Sequence, residues 1–141
     1  MGPVKKLVCF ADKISNLEID VEDTAEVILR FASGAIGEIH LDYLQRFYQR
    51  NFEFFGETGT VIWDVNLRSV MLKSKGEAGE QVFPLEEGYD LNAMYIEEIK
   101  HFLACVAAGS PTITPLQYGA AVTKLISLAK QSAQSDAVIY I

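Results

Sequence analysis

The stretch that decides the fold is Ala25-Glu26-Val27-Ile28-Leu29-Arg30-Phe31-Ala32-Ser33-Gly34-Ala35-Ile36-Gly37-Glu38-Ile39-His40-Leu41-Asp42-Tyr43. Two arms of alternating residues flank Ala32-Ser33-Gly34, which reads as a β-hairpin. Register fixes the loop length. A two-residue loop at Ser33-Gly34 would set Val27 opposite His40 and Leu29 opposite Glu38, mixing core and polar side chains on both faces. A three-residue loop with Gly34 left-handed sorts them instead. Val27, Leu29 and Phe31 then share a face with Ile39 and Leu41. Glu26, Ile28 and Arg30 share the other with Glu38, His40 and Asp42. A slip of one residue flips every side chain, so the sorted register is the expected one.

Working outward, Val4 to Phe10 reads as a strand before the hairpin, followed by a polar loop over Asp12 to Glu18. Downstream, Asn51 to Phe55 and Thr60 to Val65 flank Gly56-Glu57-Thr58-Gly59 as a second hairpin. Ser69 to Ser74 and Gln81 to Pro84 read as shorter strands around the connection Lys75 to Glu80. Short strands joined by tight turns predict a mainly antiparallel (mixed) open sheet.

Two helices follow. The first spans Asn92 to Ala108, with Ile96, Ile99, Phe102, Leu103 and Val106 at helical spacing and Gly109 as its stop. The second is expected to start at Thr114 as N-cap, with Pro115 at the first helical position, Gln117 completing a capping box, and Ile113 and Tyr118 as a hydrophobic staple. Its apolar stripe runs through Ala121, Leu125, Leu128 and Ala129, and Gly119-Ala120-Ala121 is small enough for a close neighbour. The final run, Ala137 to Ile141, is expected to rejoin the sheet. The predicted class is α+β, an open sheet with helices packed on one face, in a single domain spanning residues 1–141.

Composition narrows the functions available. The 141 residues are 50% hydrophobic and carry a formal net charge of −7. Mean hydropathy is +0.15, apolar for so small a domain, so some apolar surface should be covered by a partner chain or further domain. There is no basic stripe, which argues against nucleic acid. No apolar run reaches membrane-spanning length, and no signal peptide is visible. Cys9 and Cys105 lack metal-ligand spacing and read as thiols of a reducing cytosol, giving a cytoplasmic expectation. No G-x-G-x-x-G follows a strand, and neither a P-loop nor G-x-S-x-G is present. No zinc motif includes His40 or His101.

The order of "EDTAEVILRFASGAIGEIHLDYLQR" (22–46), "FEFFGETGTVIWD" (52–64), "YIEEIKHFLACVAAG" (95–109) and "PTITPLQYGAAVTKLISLAKQSAQSDAVIYI" (111–141) resembles the C-terminal domain of the Gfo/Idh/MocA oxidoreductase family. The resemblance implies an N-terminal Rossmann domain holding NAD or NADP, with no cofactor bound by this chain alone. It implies a sugar or polyol between the domains, and hydride transfer between a sugar carbon and nicotinamide C4. The family's Glu-Lys-Pro lysine and its Asp/His-bearing helix fall upstream of this sequence, so the catalytic residues are not expected here. The open sheet face is expected to form a homo-oligomer, dimer or tetramer. The alternative is a stand-alone binding or assembly module without redox chemistry.

Within the chain, substrate-binding candidates are His40, Asp42, Arg46, Arg50, Tyr89 and Tyr95. Arg suits carboxylate or phosphate, and aromatic rings suit sugar faces. Each has a structural reading as well. Arg46 and Arg50 pair with surface acids or anchor a subunit contact. His40 pairs with Glu26 across the hairpin. Tyr89 and Tyr95 pack in the core. His101, one turn after Glu97, forms a solvated ion pair.

Overall fold

The computed structural model describes all 141 residues as eight strands and two helices. They form two compact units, residues 1–45 with 111–141, and residues 46–110. Every strand pair is antiparallel, in two open four-stranded sheets. No helix is long and apolar enough to cross a membrane.

The first unit holds β1 (Val4–Asp12), β2 (Thr24–Phe31), β3 (Ile36–Asp42), the terminal β8 (Ile139–Tyr140) and helix α2 (Leu116–Ser135), with sheet order β3-β2-β1-β8. The hairpin takes the sorted register: Val27 faces Ile39, Glu26 faces His40 and Ile28 faces Glu38. Gly34 has φ +89°, so the three-residue loop uses its glycine as expected. Leu7, Cys9 and Leu29 are buried on the face that α2 covers. Leu125, Leu128 and Ala129 of its stripe are half-buried, whereas Ala121 is exposed.

Helix α2 does not start as the sequence suggests. Pro115 is the N-cap, with ψ 156°, and no side chain caps the helix. The Thr112 hydroxyl donates to the Thr114 carbonyl, 3.0 Å, so the local polar groups serve the turn before the helix. Ile113 and Tyr118 are 79% and 63% exposed, which is no staple. Nothing approaches Gly119 closely either.

At its other end α2 is fastened by Ser132, which is 0% exposed. Strand β8 pairs Ile139 with Leu7 and Tyr140 with Lys6, and the Ile141 N–H reaches the Lys5 carbonyl. Continued, that register would set Cys9 opposite Ala137. The chain has already turned into α2 there. The Ser132 hydroxyl bridges the gap, accepting from the Cys9 N–H at 3.0 Å and donating to the Ala137 carbonyl at 2.6 Å. One side chain stands in for a missing ladder bond and satisfies two backbone groups.

The second unit is a meander, β4 (Asn51–Gly56), β5 (Gly59–Asp64), β6 (Ser69–Ser74) and β7 (Gln81–Pro84), followed by α1 (Asn92–Ala108). Gly59 is dictated by packing: a Cβ there would stand 2.6 Å from the Lys73 carbonyl of β6. Phe52 and Trp63 pair across β4 and β5 with ring centroids 5.3 Å apart. Helix α1 ends at Gly109 as expected. Its apolar stripe, expected to bury against the sheet, is 47 to 63% exposed, and Cys105 is its buried residue.

Replacing Ser132 with Ala leaves the buried Cys9 N–H without its partner, at about 1–3 kcal/mol. Urea unfolding of Ser132→Ala should give a midpoint lowered by that loss with an unchanged slope. A midpoint equal to wild type would show that the bridge is not needed.

Candidate functional site

The hairpin register brings Glu26 opposite His40, and Asp42 follows two residues later on the same face of β3. The three side chains meet. His40 Nδ1 lies 2.5 Å from Glu26 Oε1, and Nε2 lies 2.7 Å from Asp42 Oδ2. Both ring nitrogens face carboxylates, which only accept hydrogen bonds, so the ring sits there as the imidazolium with both nitrogens donating. His40 and Glu26 side chains are 45% and 43% exposed, and Asp42 only 6%.

Asp42 is also the end of the strand. Its Oδ1 accepts from the Leu44 and Gln45 N–H groups at 2.6 and 2.7 Å, and Gln45 Nε2 donates to Oδ2 at 2.8 Å. Burial opposes its charge, but hydrogen bonds from the Gln45 backbone and side chain, His40 and the Leu44 N–H outweigh it. They hold the carboxyl at about 2. The hydrogen bonds it donates to Glu26 and then to Asp42 raise His40 above its ordinary 6.5, against the smaller effect of burial.

The other candidates belong to the second unit. Arg46 is exposed on the connection before β4. The Arg50 guanidinium lies 5.8 Å from the Trp63 ring centroid, a cation–π contact with the aromatic pair of β4 and β5. Tyr89 is half-buried, and its carbonyl accepts from Arg68 Nη2 at 3.2 Å. Tyr95 on α1 is 63% exposed rather than packed in a core. The structure thus joins His40 and Asp42, with Glu26 and Gln45 beside them, and places the other four apart along the second unit. His101 differs from expectation. Glu97 bonds Lys100 at 2.7 Å, and the His101 ring stands 3.6 Å from Cys105 Sγ.

One anchor escaped the sequence reading. Asp23 is 1% exposed and accepts from the Ile14 and Ser15 N–H groups, at 2.9 and 3.0 Å, and from the Ser15 hydroxyl. The Ser15 hydroxyl leads the hydrogen bonds that keep its carboxyl ionised below the usual range, against burial. It orders the loop between β1 and β2. A hollow beside that loop is lined by Asp12, Lys13, Asp20, Glu22 and Lys130 and does not include His40 or Asp42. Burial, then Glu22, pushes the Cys9 thiol up, so it stays neutral. No group of three His, Cys, Asp or Glu is placed to hold a metal ion. Helix α1 opens after Leu91 and α2 after Pro115.

Comparison with known proteins adds relatives to this geometry. Residues 1–62 match the family model described as GFO/IDH/MocA C-terminal domain. The chain is 34% identical over 116 residues to myo-inositol 2-dehydrogenase of Thermotoga maritima, covering 78% of this chain and 34% of that protein. Its fold is similar to levoglucosan dehydrogenase in complex with NADH and levoglucosan, with TM-score 0.84 and 16% identity, over 99% of this chain and 45% of that one. It is also similar to the aldose-aldose oxidoreductase of Caulobacter crescentus complexed with glycerol, with TM-score 0.80 and 16% identity, over 99% of this chain and 42% of that one. The chain spans about a third of the curated relative and under half of these solved chains.

The clamp has a defined pH response. His40 is raised on folding, so its contribution is full below 6.5 and lost as pH climbs through the higher folded value. Asp42 works the opposite way, contributing above 3.8 and losing its effect as pH falls through about 2. The His40 ring resonance should titrate above 6.5 by NMR, and His40→Gln should remove the alkaline fall in melting temperature. A midpoint at or below 6.5 would mean that the clamp does not form in solution.

Proposed function

We propose that this chain, whose residues 1–62 match the family model described as GFO/IDH/MocA C-terminal domain, is the substrate-side and assembly half of an NAD(P)-dependent oxidoreductase acting on a sugar, polyol or sugar derivative. The observation that carries the reading is the 34% identity to myo-inositol 2-dehydrogenase over most of the chain. Similarity of fold to dehydrogenase chains about twice as long supports a second domain in the parent protein. That domain, N-terminal and of Rossmann type, holds NAD or NADP and supplies the hydride-accepting nicotinamide. The parent protein works in the cytoplasm.

This chain's own contribution is to bind and orient. Arg46 and Arg50 offer forked donors for hydroxyl or anionic groups, and the phenols of Tyr89 and Tyr95 offer hydrogen bonds and ring faces. His40, held as a cation by Glu26 and Asp42, fixes the end of β3 from which the Arg46–Arg50 connection departs. The open sheet face of the first unit joins copies into a dimer or tetramer.

The test uses the full-length parent protein with NAD⁺ and NADP⁺ against a panel of inositols, alditols and aldoses, followed by nicotinamide absorbance. Oxidation of at least one polyol or sugar is expected, with no turnover by the 141-residue chain alone. Arg46→Ala or Arg50→Ala should raise KM by roughly tenfold or more, the loss of one charge-assisted hydrogen bond, while cofactor affinity stays unchanged. A folded parent that binds either cofactor yet oxidises nothing in the panel would sink the assignment.

A further inference from the structure

The turn between β5 and β6 holds an arginine where its backbone favours glycine. The Arg68 N–H closes the turn on the Val65 carbonyl at 3.3 Å. Arg68 itself has φ +48°, a left-handed conformation in which a Cβ is strained. Asp136, at the C-cap of α2, is the other non-glycine residue with positive φ. Turn geometry alone therefore gives no reason for an arginine at position 68.

The same end of the meander carries a second arginine. The Val65 N–H donates to the Arg50 carbonyl at 3.0 Å, and Asn66 Nδ2 donates to the Tyr48 carbonyl at 2.9 Å. Arg50 precedes β4 and Arg68 precedes β6, so they stand two strand spacings apart, about 10 Å. The Arg50 guanidinium rests over the Trp63 ring, which Phe52 backs. Arg68 gives one of its donors to the Tyr89 carbonyl at 3.2 Å. Neither guanidinium takes part in the ion pairs of the chain, whose cations are His40, Lys100 and Lys130. The acids nearby are otherwise placed. Asp64 accepts from the Asn66 and Leu67 N–H groups and Asp90 from that of Asn92, while Glu86 and Glu87 are exposed after β7.

We propose, resting on the substrate-side reading above, that Arg50 and Arg68 together bind the anionic group, carboxylate or phosphate, of an acidic sugar derivative. A chain of net charge −7 repels an anion at long range, so an anionic substrate needs cations at close range. A guanidinium fork matches two oxygens of either group, and stacking on Trp63 holds the Arg50 fork ready for them. Arg68 becomes a specificity-determining residue, which accounts for its side chain at a position suited to glycine.

Trp63 is the single tryptophan of the chain, so its emission reports a ligand that engages the guanidinium above it. The 141-residue chain should show a saturable emission change with glucuronate or glucose 6-phosphate, and none with glucose or myo-inositol. The tighter of the two acids identifies the anionic group. Arg68→Gly keeps the turn, because glycine takes this backbone freely, and should weaken binding of that acid by about tenfold or more. Wild-type affinity should also fall as sodium chloride is raised. The site is overturned by no response to either acid, an equal response to glucose, wild-type affinity in Arg68→Gly, or indifference to salt. In each of those cases, oxidation of a neutral polyol by the parent protein would leave the oxidoreductase reading standing. Acid binding by a parent that oxidises nothing would keep the site and remove that reading.

Discussion

The first unit hangs on a hydroxyl. Ser132 takes the Cys9 N–H and gives to the Ala137 carbonyl, at the point where the last strand has given way to the helix that precedes it. Without an acceptor there, β1 would bury an unpaired amide beneath α2. The cost of such a group is comparable to that of a lost core methylene or two. A serine fits because the opening is one hydroxyl wide and demands one donor and one acceptor together. The same bridge fixes where α2 stops, with Asp136 left-handed at its C-cap, and therefore where β8 can begin. Leu7 and Cys9 are buried because that helix is held against them.

So few buried side chains make this polar bridge matter. Half of the sequence is hydrophobic, yet the buried apolar residues are Leu7, Cys9, Leu29 and Cys105. The exposed apolar side chains lie on the sheets, on both helices and in the loops between them. A chain arranged like this folds with less burial than its composition offers, and its polar anchors carry a larger share of the specificity. Asp23 works as Ser132 does, collecting donors from the loop between β1 and β2. The net charge of −7 opposes indiscriminate association of the apolar faces that stay exposed.

What the sequence made legible follows from this division. Elements defined by a period could be read: the β2–β3 register from alternation and one glycine, the span of α1 from its stripe and its glycine stop, and the return of the C-terminus to the sheet. The Glu26–His40 pair followed from the register alone. Elements defined by competition among neighbouring polar groups could not. Thr114 has the right chemistry for an N-cap, but Pro115 holds an extended ψ and becomes the cap itself. Glu97 has His101 one turn ahead and Lys100 three residues ahead, and takes Lys100, the stronger and always charged donor. Asp23 and Ser132 carry no period, since their partners lie in other elements or across an irregular loop. The stripe of α1 was read correctly as apolar, but an apolar stripe states only that something should cover it, not that the same chain does.

The His40 clamp joins the two kinds of information. Its geometry comes from strand register, while its charge state comes from local competition between burial and hydrogen bonds. An imidazolium between two carboxylates leaves the group with net charge of about −1, against −2 if the ring were neutral. A lysine or arginine at position 40 would fix that charge over the whole physiological range. Histidine does so only while both carboxylates are ionised and near, so the cation exists because the hairpin is formed. The end of β3, the turn through Leu44 and Gln45, and the departure of the chain toward Arg46 and Arg50 are thereby held by a charge that folding itself creates. In an unfolded chain the same ring would be largely neutral at pH 7. The net charge of that end of the sheet is therefore set by the folded hairpin as well as by its composition.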